Sequence, residues 1–344
     1  MTRVLDPAQI ESFAQRAIAR IRLPDPGRVF STRAARLRQL SEGHAVGDYL
    51  RLMATLADAQ QSALSSRMAE NEFGRKAEQP RLPEEFDLLT KERLRLARDH
   101  GMPPLQASAW PRGDHWRTVL YELCAAIAEA PGYPEGVAKV CRDIQALPVA
   151  ELEAQASLLL AAAAAQGDST EAATRTAESP PTVESRINAS MAPFIMAALQ
   201  VHWIRMLASL PHDQVSGQIG HVDAPGVCPV CATLPVASTV SAEKDYQGYR
   251  YLQCALCATQ WHLVRIKCSH CESTEGIHYH SIEGGSTAIR AEACDHCKTY
   301  RKICYQEQDR DVEPVADDLA SLAIDLLMAQ EGFQRASGNP LLWQ

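Results

Sequence analysis

The chemistry-bearing residues of this sequence are cysteines, and most of them fall in one stretch. Eight of the eleven form four Cys-x-x-Cys pairs, separated by 22, 10 and 22 residues. In a reducing compartment such pairs favour metal binding or redox chemistry over structural disulfides. The paired residues are Cys228, Cys231, Cys254, Cys257, Cys268, Cys271, Cys294 and Cys297.

The stretch is an internal duplication with an offset of 40 residues, and the register holds outside the cysteines as well. A constant offset identifies a structural unit of that length. Corresponding residues include Cys228 and Cys268, Cys254 and Cys294, Arg250 and Arg290, and Thr259 and Thr299.

Each unit contains the ligands for one metal ion. Two Cys-x-x-Cys turns joined by a β-hairpin can aim four thiolates at one ion, as in zinc ribbons and rubredoxins. A unit this short cannot bury a sufficient core, so we expect the metal to stabilise it. Pairing across the ten-residue gap would leave the outer turns without partners. We therefore assign the first site to Cys228, Cys231, Cys254 and Cys257, and the second to Cys268, Cys271, Cys294 and Cys297.

Four further residues are candidates for tuning the two sites. A cage of four thiolates is negatively charged with either zinc or iron, and Arg250 and Arg290 can offset that charge. Thr259 and Thr299 can donate hydrogen bonds to sulfur. The alternative is that all four are ordinary solvated strand residues.

The remaining cysteines and two nearby histidines are not expected to bind metal. His270 and His296 lie inside Cys-x-x-Cys turns, but four thiolates already complete each cage. Cys304 is expected to be a strand residue, with a reactive thiol as the alternative. Cys124 and Cys141 lie in apolar helical contexts and are expected in the core.

The elements that position these residues follow from periodicity and turn signals. We predict a multi-domain α plus small β protein: a helical domain over 1–210, then rubredoxin-like or zinc-ribbon four-cysteine modules over 225–266 and 267–310. A C-terminal helix over 314–334 should pack back on the protein, with Leu319, Leu322, Leu326 and Leu327 on one face. Further helices are predicted at 31–40, 83–99, 114–129, 150–166 and 182–209, with a loop at 167–181.

Composition excludes several classes of function. The net charge of −8 over 344 residues gives no reason to expect binding to nucleic acid or anionic membranes. Within 228–310, nine basic residues are offset by nine acidic ones, which argues against a nucleic-acid-binding zinc ribbon. The longest apolar run, 158–165, is too short to span a membrane, and no signal peptide is recognisable. The expected location is the cytoplasm.

No catalytic constellation is present. Both cages are closed, which is typical of structural or electron-transfer sites rather than hydrolytic ones. The acidic pairs Glu84-Glu85 and Asp317-Asp318 fit helix N-termini. We therefore predict that the protein is not an enzyme.

In its cysteine repeat and the segments around it, the sequence resembles the bacterial formate dehydrogenase accessory (formation) proteins, the FdhE family. The resemblance is carried by CPVC, RYLQCALCATQWHLVRIKCSHC, IRAEACDHCKTYRKI and ADDLASLAIDLLMAQEGF. The helical segments RAARLRQLSEGHAVGDYLRLMATLADAQ and APFIMAALQVHWIRMLASL are similar to the same family, so the match covers most of the length.

The resemblance implies a cytoplasmic assembly factor or chaperone that acts on the formate dehydrogenase catalytic subunit before its export by the twin-arginine route. It implies rubredoxin-type iron bound by the eight paired cysteines, with zinc as the alternative. Rubredoxin turns often carry glycine after the second cysteine, whereas Ala232, Ala258, Glu272 and Lys298 stand there in this sequence.

A one-electron carrier is the second hypothesis for the function of the protein. The oligomeric state is open, and the surface near Trp261 and His262 is a candidate contact for the partner.

Overall fold

The computed structural model describes residues 19–69, 84–165, 187–210 and 224–343. Within these ranges the chain forms a helical N-terminal part, one small sheet and a helical C-terminal segment, which confirms the predicted fold class. The helices are α1 (Val29–Ser41), α2 (Gly47–Ala69), α3 (Glu84–His100), α4 (His115–Glu129), α5 (Glu135–Ala146), α6 (Val149–Ala164), α7 (Ala192–Ala208), α8 (Pro314–Ala320) and α9 (Leu322–Gln330). The strands are β1 (Ile21–Arg22), β2 (Pro235–Val240), β3 (Arg250–Cys254), β4 (Gln260–His262), β5 (Ile277–His280), β6 (Ile289–Cys294), β7 (Thr299–Tyr305) and β8 (Gln334–Arg335).

Helix α7 lies at the centre of the main core. All of its residues except Arg205 and Ala208 are buried, as expected of a helix that is apolar on every side. The predicted start at 182 is wrong within the described residues, because 187–191 are not helical. Pro193 lies in the first turn of α7, where its missing N–H costs no hydrogen bond, so it marks a boundary. The predicted loop at 167–181 lies outside the described residues.

The two repeat units build one continuous sheet with the order β1-β4-β3-β2-β7-β6-β5, and β8 pairs with β7. Each unit supplies an antiparallel trio, β2–β3–β4 or β5–β6–β7. Parallel pairing of β2 with β7, with Ser238 opposite Ile303, joins the trios. The two four-cysteine units therefore share backbone hydrogen bonds.

The C-terminal segment differs from the single helix predicted over 314–334. It is divided at Ser321 into α8 and α9. Leu319 is buried, but Leu326 and Leu327 are 69% and 46% exposed, so the prediction of a shared packing face is wrong for them. Division at Ser321 changes the helical register, and α9 instead buries Ile324 and Met328.

Buried ion pairs attach α8 to the N-terminal helix α1. Arg36 lies 2.6 Å from Asp317, and Arg33 lies 3.2 Å from Glu313. Asp317 is in the first turn of α8, as predicted from the helix dipole. Asp318 is instead buried against Arg335. The other predicted acidic pair begins α3 at Glu84, and its side chains lie outside the described part.

Among the described helices, none is by itself both long and apolar enough to cross a membrane. The pair α5 and α6, bent by 111° at the break between them, meets the length and composition requirement only when the two are taken together.

Candidate metal centres

Each Cys-x-x-Cys pair forms a tight turn whose shape depends on the residue after the second cysteine. The Ala232 amide donates to the Cys228 carbonyl oxygen over 2.9 Å, and the Glu272 amide to that of Cys268 over 3.1 Å. The four following residues have positive φ values of 64°, 56°, 63° and 54°, at Ala232, Ala258, Glu272 and Lys298 respectively. For residues other than glycine this conformation costs about 1–2 kcal/mol. The four turns therefore keep the rubredoxin-like backbone shape without its glycine.

The first site gathers four sulfurs at the separations a metal needs. Cys228 and Cys257 lie 3.6 Å apart, and Cys231 and Cys254 lie 3.4 Å apart, measured between Sγ atoms. All four Sγ atoms lie within 4.8 Å of one another. A tetrahedral cage with metal–sulfur bonds of about 2.3 Å has edges of about 3.8 Å. The donor set therefore fits a tetrahedral metal ion.

The second site repeats this arrangement. Its Sγ separations are 3.8 Å between Cys268 and Cys297, and 3.7 Å between Cys271 and Cys294. These four Sγ atoms also lie within 4.8 Å of one another. Each cage is built from its own 40-residue unit rather than across the ten-residue gap. His270 and His296 belong to neither group of candidate ligands.

Threonine hydroxyls and backbone amides surround the sulfurs. Thr259 and Thr299 place their hydroxyl oxygens 3.1 Å from Cys257 Sγ and 3.0 Å from Cys297 Sγ, where they can donate to thiolates. The amides of Leu256 and Cys257 each donate to Cys254 Sγ over 3.3 Å. Such contacts stabilise thiolate charge and orient the ligands.

Thr233 is a contact that sequence reasoning missed. Its hydroxyl lies 3.1 Å from Cys231 Sγ and 3.2 Å from Cys254 Sγ. The signal was available, because Thr233 follows its turn by two residues, as Thr259 does. Its counterpart in the second unit, Ser273, donates instead to the Glu275 carbonyl oxygen. The sulfurs of the first site therefore have one more hydroxyl group beside them, which contacts two of them.

The first site is enclosed by the helical part of the protein. The amide of Ala107, in the segment between α3 and α4, donates to the Cys231 carbonyl oxygen over 2.9 Å. The Gln200 side chain on α7 donates to the Ala255 carbonyl oxygen over 2.7 Å. Cys228, Cys231 and Cys257 are fully buried, and Cys254 is 1% exposed.

The second site is partly open to water. Cys268 and Cys294 are buried, but Cys271 and Cys297 are only partly buried. Asp295, with 45% of its side chain exposed, lies beside it and pairs with Lys298 over 2.9 Å. Behind the sulfurs is a cavity of about 10 Å³, room for roughly one water molecule.

The thiols of the first site cannot all ionise by themselves. Burial raises the pKa of Cys228 and of Cys257 well above the usual value. Burial also acts against ionisation of Cys254, but hydrogen bonds from the other three thiols and Thr233 hold its pKa well below the usual value. A cation is therefore required before four thiolates can coexist in this dry position.

The predicted arginines have partners other than sulfur. Arg250 is fully buried, pairs with Glu292 at 2.6 Å and donates to the Lys267 carbonyl oxygen over 3.1 Å. The Arg290 guanidinium lies 4.9 Å from the centre of the Tyr305 ring. Neither arginine is hydrogen-bonded to a cysteine in the described structure.

The other cysteines are buried, and of the two residues that mark the predicted contact surface Trp261 is buried and His262 is partly exposed. Cys304 lies on β7 and is fully buried, and burial raises its pKa well above the usual value, which disfavours the reactive thiolate form. Cys124 and Cys141 are part of the helical core. Trp261 is only 5% exposed and donates to the Pro225 carbonyl oxygen over 2.8 Å, so its own ring is not available to a partner, and the surface near His262 stays a prediction.

Comparison with known proteins covers nearly all of the chain. Residues 18–177, 227–265 and 266–342 match the N-terminal, central and C-terminal domains of FdhE respectively. The FdhE homolog of Cronobacter sakazakii is 38% identical, covering 99% of this chain and 97% of that protein. FdhE of Salmonella paratyphi A is 39% identical, covering 92% and 88%.

The fold leads to the same family. The crystal structure of the FdhE protein from Pseudomonas aeruginosa superimposes with a TM-score of 0.73 and 34% sequence identity, covering 94% of this chain and 98% of that one. Similarity in sequence and in fold, together with two four-cysteine clusters, shows that the chain belongs to the FdhE family.

Proposed function

We propose that this protein is a non-enzymatic accessory factor that binds the catalytic subunit of a formate dehydrogenase during its maturation in the cytoplasm. The observation that carries the proposal is a pair of closed four-cysteine cages in a chain of the FdhE family. Closed cages have no open coordination position for a substrate, which favours binding and redox roles over hydrolysis. The eight cysteines are the proposed ligands, and Thr259 and Thr299 the proposed hydrogen-bond donors to them.

The metal of each cage is proposed to be iron, with zinc as the alternative. Four thiolates suit both ions, and the preference for iron rests on the resemblance to the FdhE family, for which rubredoxin-type iron is expected. When bound, iron would supply one-electron redox chemistry. This chain's own residues would hold the ion, exclude water from the first site and stabilise thiolate charge through hydroxyls and amides.

The test is a pull-down between the tagged full-length chain, prepared anaerobically, and a purified formate dehydrogenase catalytic subunit. We expect the subunit to be retained, and retention to fall at least tenfold when Cys294→Ser empties the second site. Cys304→Ala, which removes a thiol outside both cages, is the matched control. No retention by the native chain with two metal ions bound would contradict the proposal.

A one-electron carrier is the second candidate, favoured by the partial exposure of Cys271 and Cys297. Ligand residues near the surface can bring a redox centre close to a partner's own centre. This candidate requires reversible reduction of the iron-loaded chain and transfer to an acceptor without stable binding of the subunit. Substitution of zinc for iron would abolish transfer here, but would leave binding of the subunit intact.

A further inference from the structure

A buried arginine that sequence reasoning did not identify lies next to the second metal site. Arg301, on β7, is 4% exposed. Its Nε donates to the Ser269 hydroxyl over 2.9 Å, and Ser269 directly follows Cys268. Its Nη1 donates to the Pro235 carbonyl oxygen and to the Ser337 hydroxyl. All of these acceptors are neutral.

The charge of Arg301 is therefore not cancelled by a direct partner. Among the described residues, no carboxylate forms an ion pair with it. Glu292, the buried carboxylate nearby, is already paired with Arg250 at 2.6 Å. The pair Arg250–Glu292 is neutral as a unit, so the cluster of three carries one net positive charge.

This positive charge faces the second site. Arg301, Cys268 and Cys294 line the same small cavity, together with Ser269 and Glu292. A charge buried at short range in a medium of low dielectric acts strongly on its neighbours. Burial lowers the pKa of Arg301 to about 9, which leaves its guanidinium protonated at neutral pH.

Among the described residues, Arg301 reaches the first unit only at the carbonyl oxygen of Pro235, which lies opposite Cys254 in the strand pairing, and no charged side chain contacts the sulfurs of the first site. The described contacts of its sulfurs are other cysteines, threonine hydroxyls and backbone amides. The arginine that reaches this region through Gln200, Arg33, is itself paired with Glu313 at 3.2 Å. The two cages thus differ in electrostatic surroundings although their ligand sets are identical.

We propose that Arg301 is the charge-compensating residue of the second four-cysteine site, where its buried guanidinium favours the more negatively charged metal states. Arg301 is a positioning residue, because it acts through space and touches no metal. Net charge near a thiolate cage is one of the factors that set its reduction potential. The inference rests on the metal binding proposed above and assigns the second site its own redox control.

The test uses the full-length chain loaded with iron under anaerobic conditions and titrated by spectroelectrochemistry. Arg301→Gln removes the charge but keeps a donor for Ser269. We expect the reduced-to-oxidised ratio of the second site to fall about tenfold at a given potential, a shift of about 59 mV for one electron. Arg301→Lys should change this ratio less than threefold, and the control Arg310→Gln, which removes an exposed charge, should leave the ratio unchanged. The shift caused by Thr259→Val identifies which of the two measured potentials belongs to the first site. Arg301→Gln should move that potential less than the potential of the second site, because, of the eight paired cysteines, Arg301 shares a cavity with Cys268 and Cys294 only.

Glu292→Gln provides a test of opposite sign, which remains informative if Arg301→Gln does not fold. Removal of this carboxylate adds net positive charge and should raise the potential of the second site. A merely structural role of the cluster would not produce shifts of opposite sign. An unchanged potential, or equal shifts at both sites, would overturn the inference.

Zinc competition gives a second measurement that does not depend on iron. Binding of zinc displaces four thiol protons and leaves a negative cage, so Arg301→Gln should weaken one of the two affinities about tenfold. If the Arg301→Gln variant binds two zinc ions with unchanged affinities, the proposed role of Arg301 is wrong, but the proposed metal sites are not. Failure of the native chain to bind two ions would overturn the proposed metal sites as well.

Discussion

The two four-cysteine sites have the same ligand spacing and nearly the same sulfur geometry, but they lie in different surroundings. The first belongs to the main core, where α7 and the segment before α4 hold its turns. The second lies beside a smaller core formed by β6, β7 and α9, and two of its four cysteines are partly exposed. A duplicated unit has therefore produced one enclosed site and one accessible site.

Because of this difference, we expect the first site to contribute mainly to stability and the second site to contribute mainly to chemistry. A metal in the first site would join the sheet to the helices, so its loss would affect most of the molecule. A metal in the second site would be accessible to chelators, oxidants or a partner, and it lies close to the buried charge of Arg301. The following predictions test this division.

The largest expected effect is on folding. Apparent binding energies of structural zinc sites, about 10–16 kcal/mol, are comparable to the whole stability of a domain. Cys254→Ser should therefore leave one metal per chain and greatly reduce the helical circular dichroism signal. Cys294→Ser should also leave one metal, but should retain most of that signal. Two metals in Cys254→Ser would contradict the ligand assignment, and Cys304→Ala should keep both metals and the full signal.

The next effect concerns metal release. A soluble chelator should remove the ion of the second site at least about tenfold faster than that of the first, since attack requires access to the sulfurs. When metal release is monitored by absorbance, the native chain should show two phases, and Cys294→Ser should lack the fast phase. A single phase carrying both ions would show that the sites are equally accessible.

Hydroxyl contacts should matter more at the enclosed site. A hydrogen bond to a charged group contributes about 1.5–3 kcal/mol when water cannot replace it. Thr259→Val should weaken metal binding at the first site about tenfold or more, by that energy. Thr299→Val should have a smaller effect, because water can reach Cys297. Competition with a chelator of known affinity measures both changes, and equal losses would count against the role of exposure.

The smallest effect is expected from the strained turn residues. Glycine at a left-handed position removes a penalty of about 1 kcal/mol, partly offset by greater freedom of the unfolded chain. Ala258→Gly should therefore raise the thermal unfolding midpoint of the metal-loaded protein by a few degrees. Glu272→Gly should mainly slow metal loss from the second site. A lowered midpoint for Ala258→Gly would show that the alanine methyl group contributes more packing than strain.

Much of the candidate site could be predicted because it is encoded locally. The spacing of Cys228, Cys231, Cys254 and Cys257, and its repetition after 40 residues, predicts two groups of four cysteines, and the Sγ atoms of each group lie within 4.8 Å of one another. The turns are short, so the chain between two cysteines has few ways to fold around one ion. Thr259 and Thr299 were predictable for the same reason.

The missed contacts depend on distant parts of the chain. Arg301 reaches the second site only because β7 pairs with β6 and passes behind the turn at Cys268. Arg250 meets Glu292 across the two units, which no local pattern reveals. The exposure of Leu326 followed from a break at Ser321, since a change of register after a single residue redirects a helical face.

The sequence by itself determined that this protein has two four-cysteine units with a 40-residue offset, a helical N-terminal part and membership of its family, because each depends on residue type and short-range spacing. Only the tertiary structure decided that the two equivalent units differ. Burial and electrostatic environment arise from elements far apart in the chain, so identical ligand sets acquire a dry neutral setting at one site and a partly wet, positively charged setting at the other.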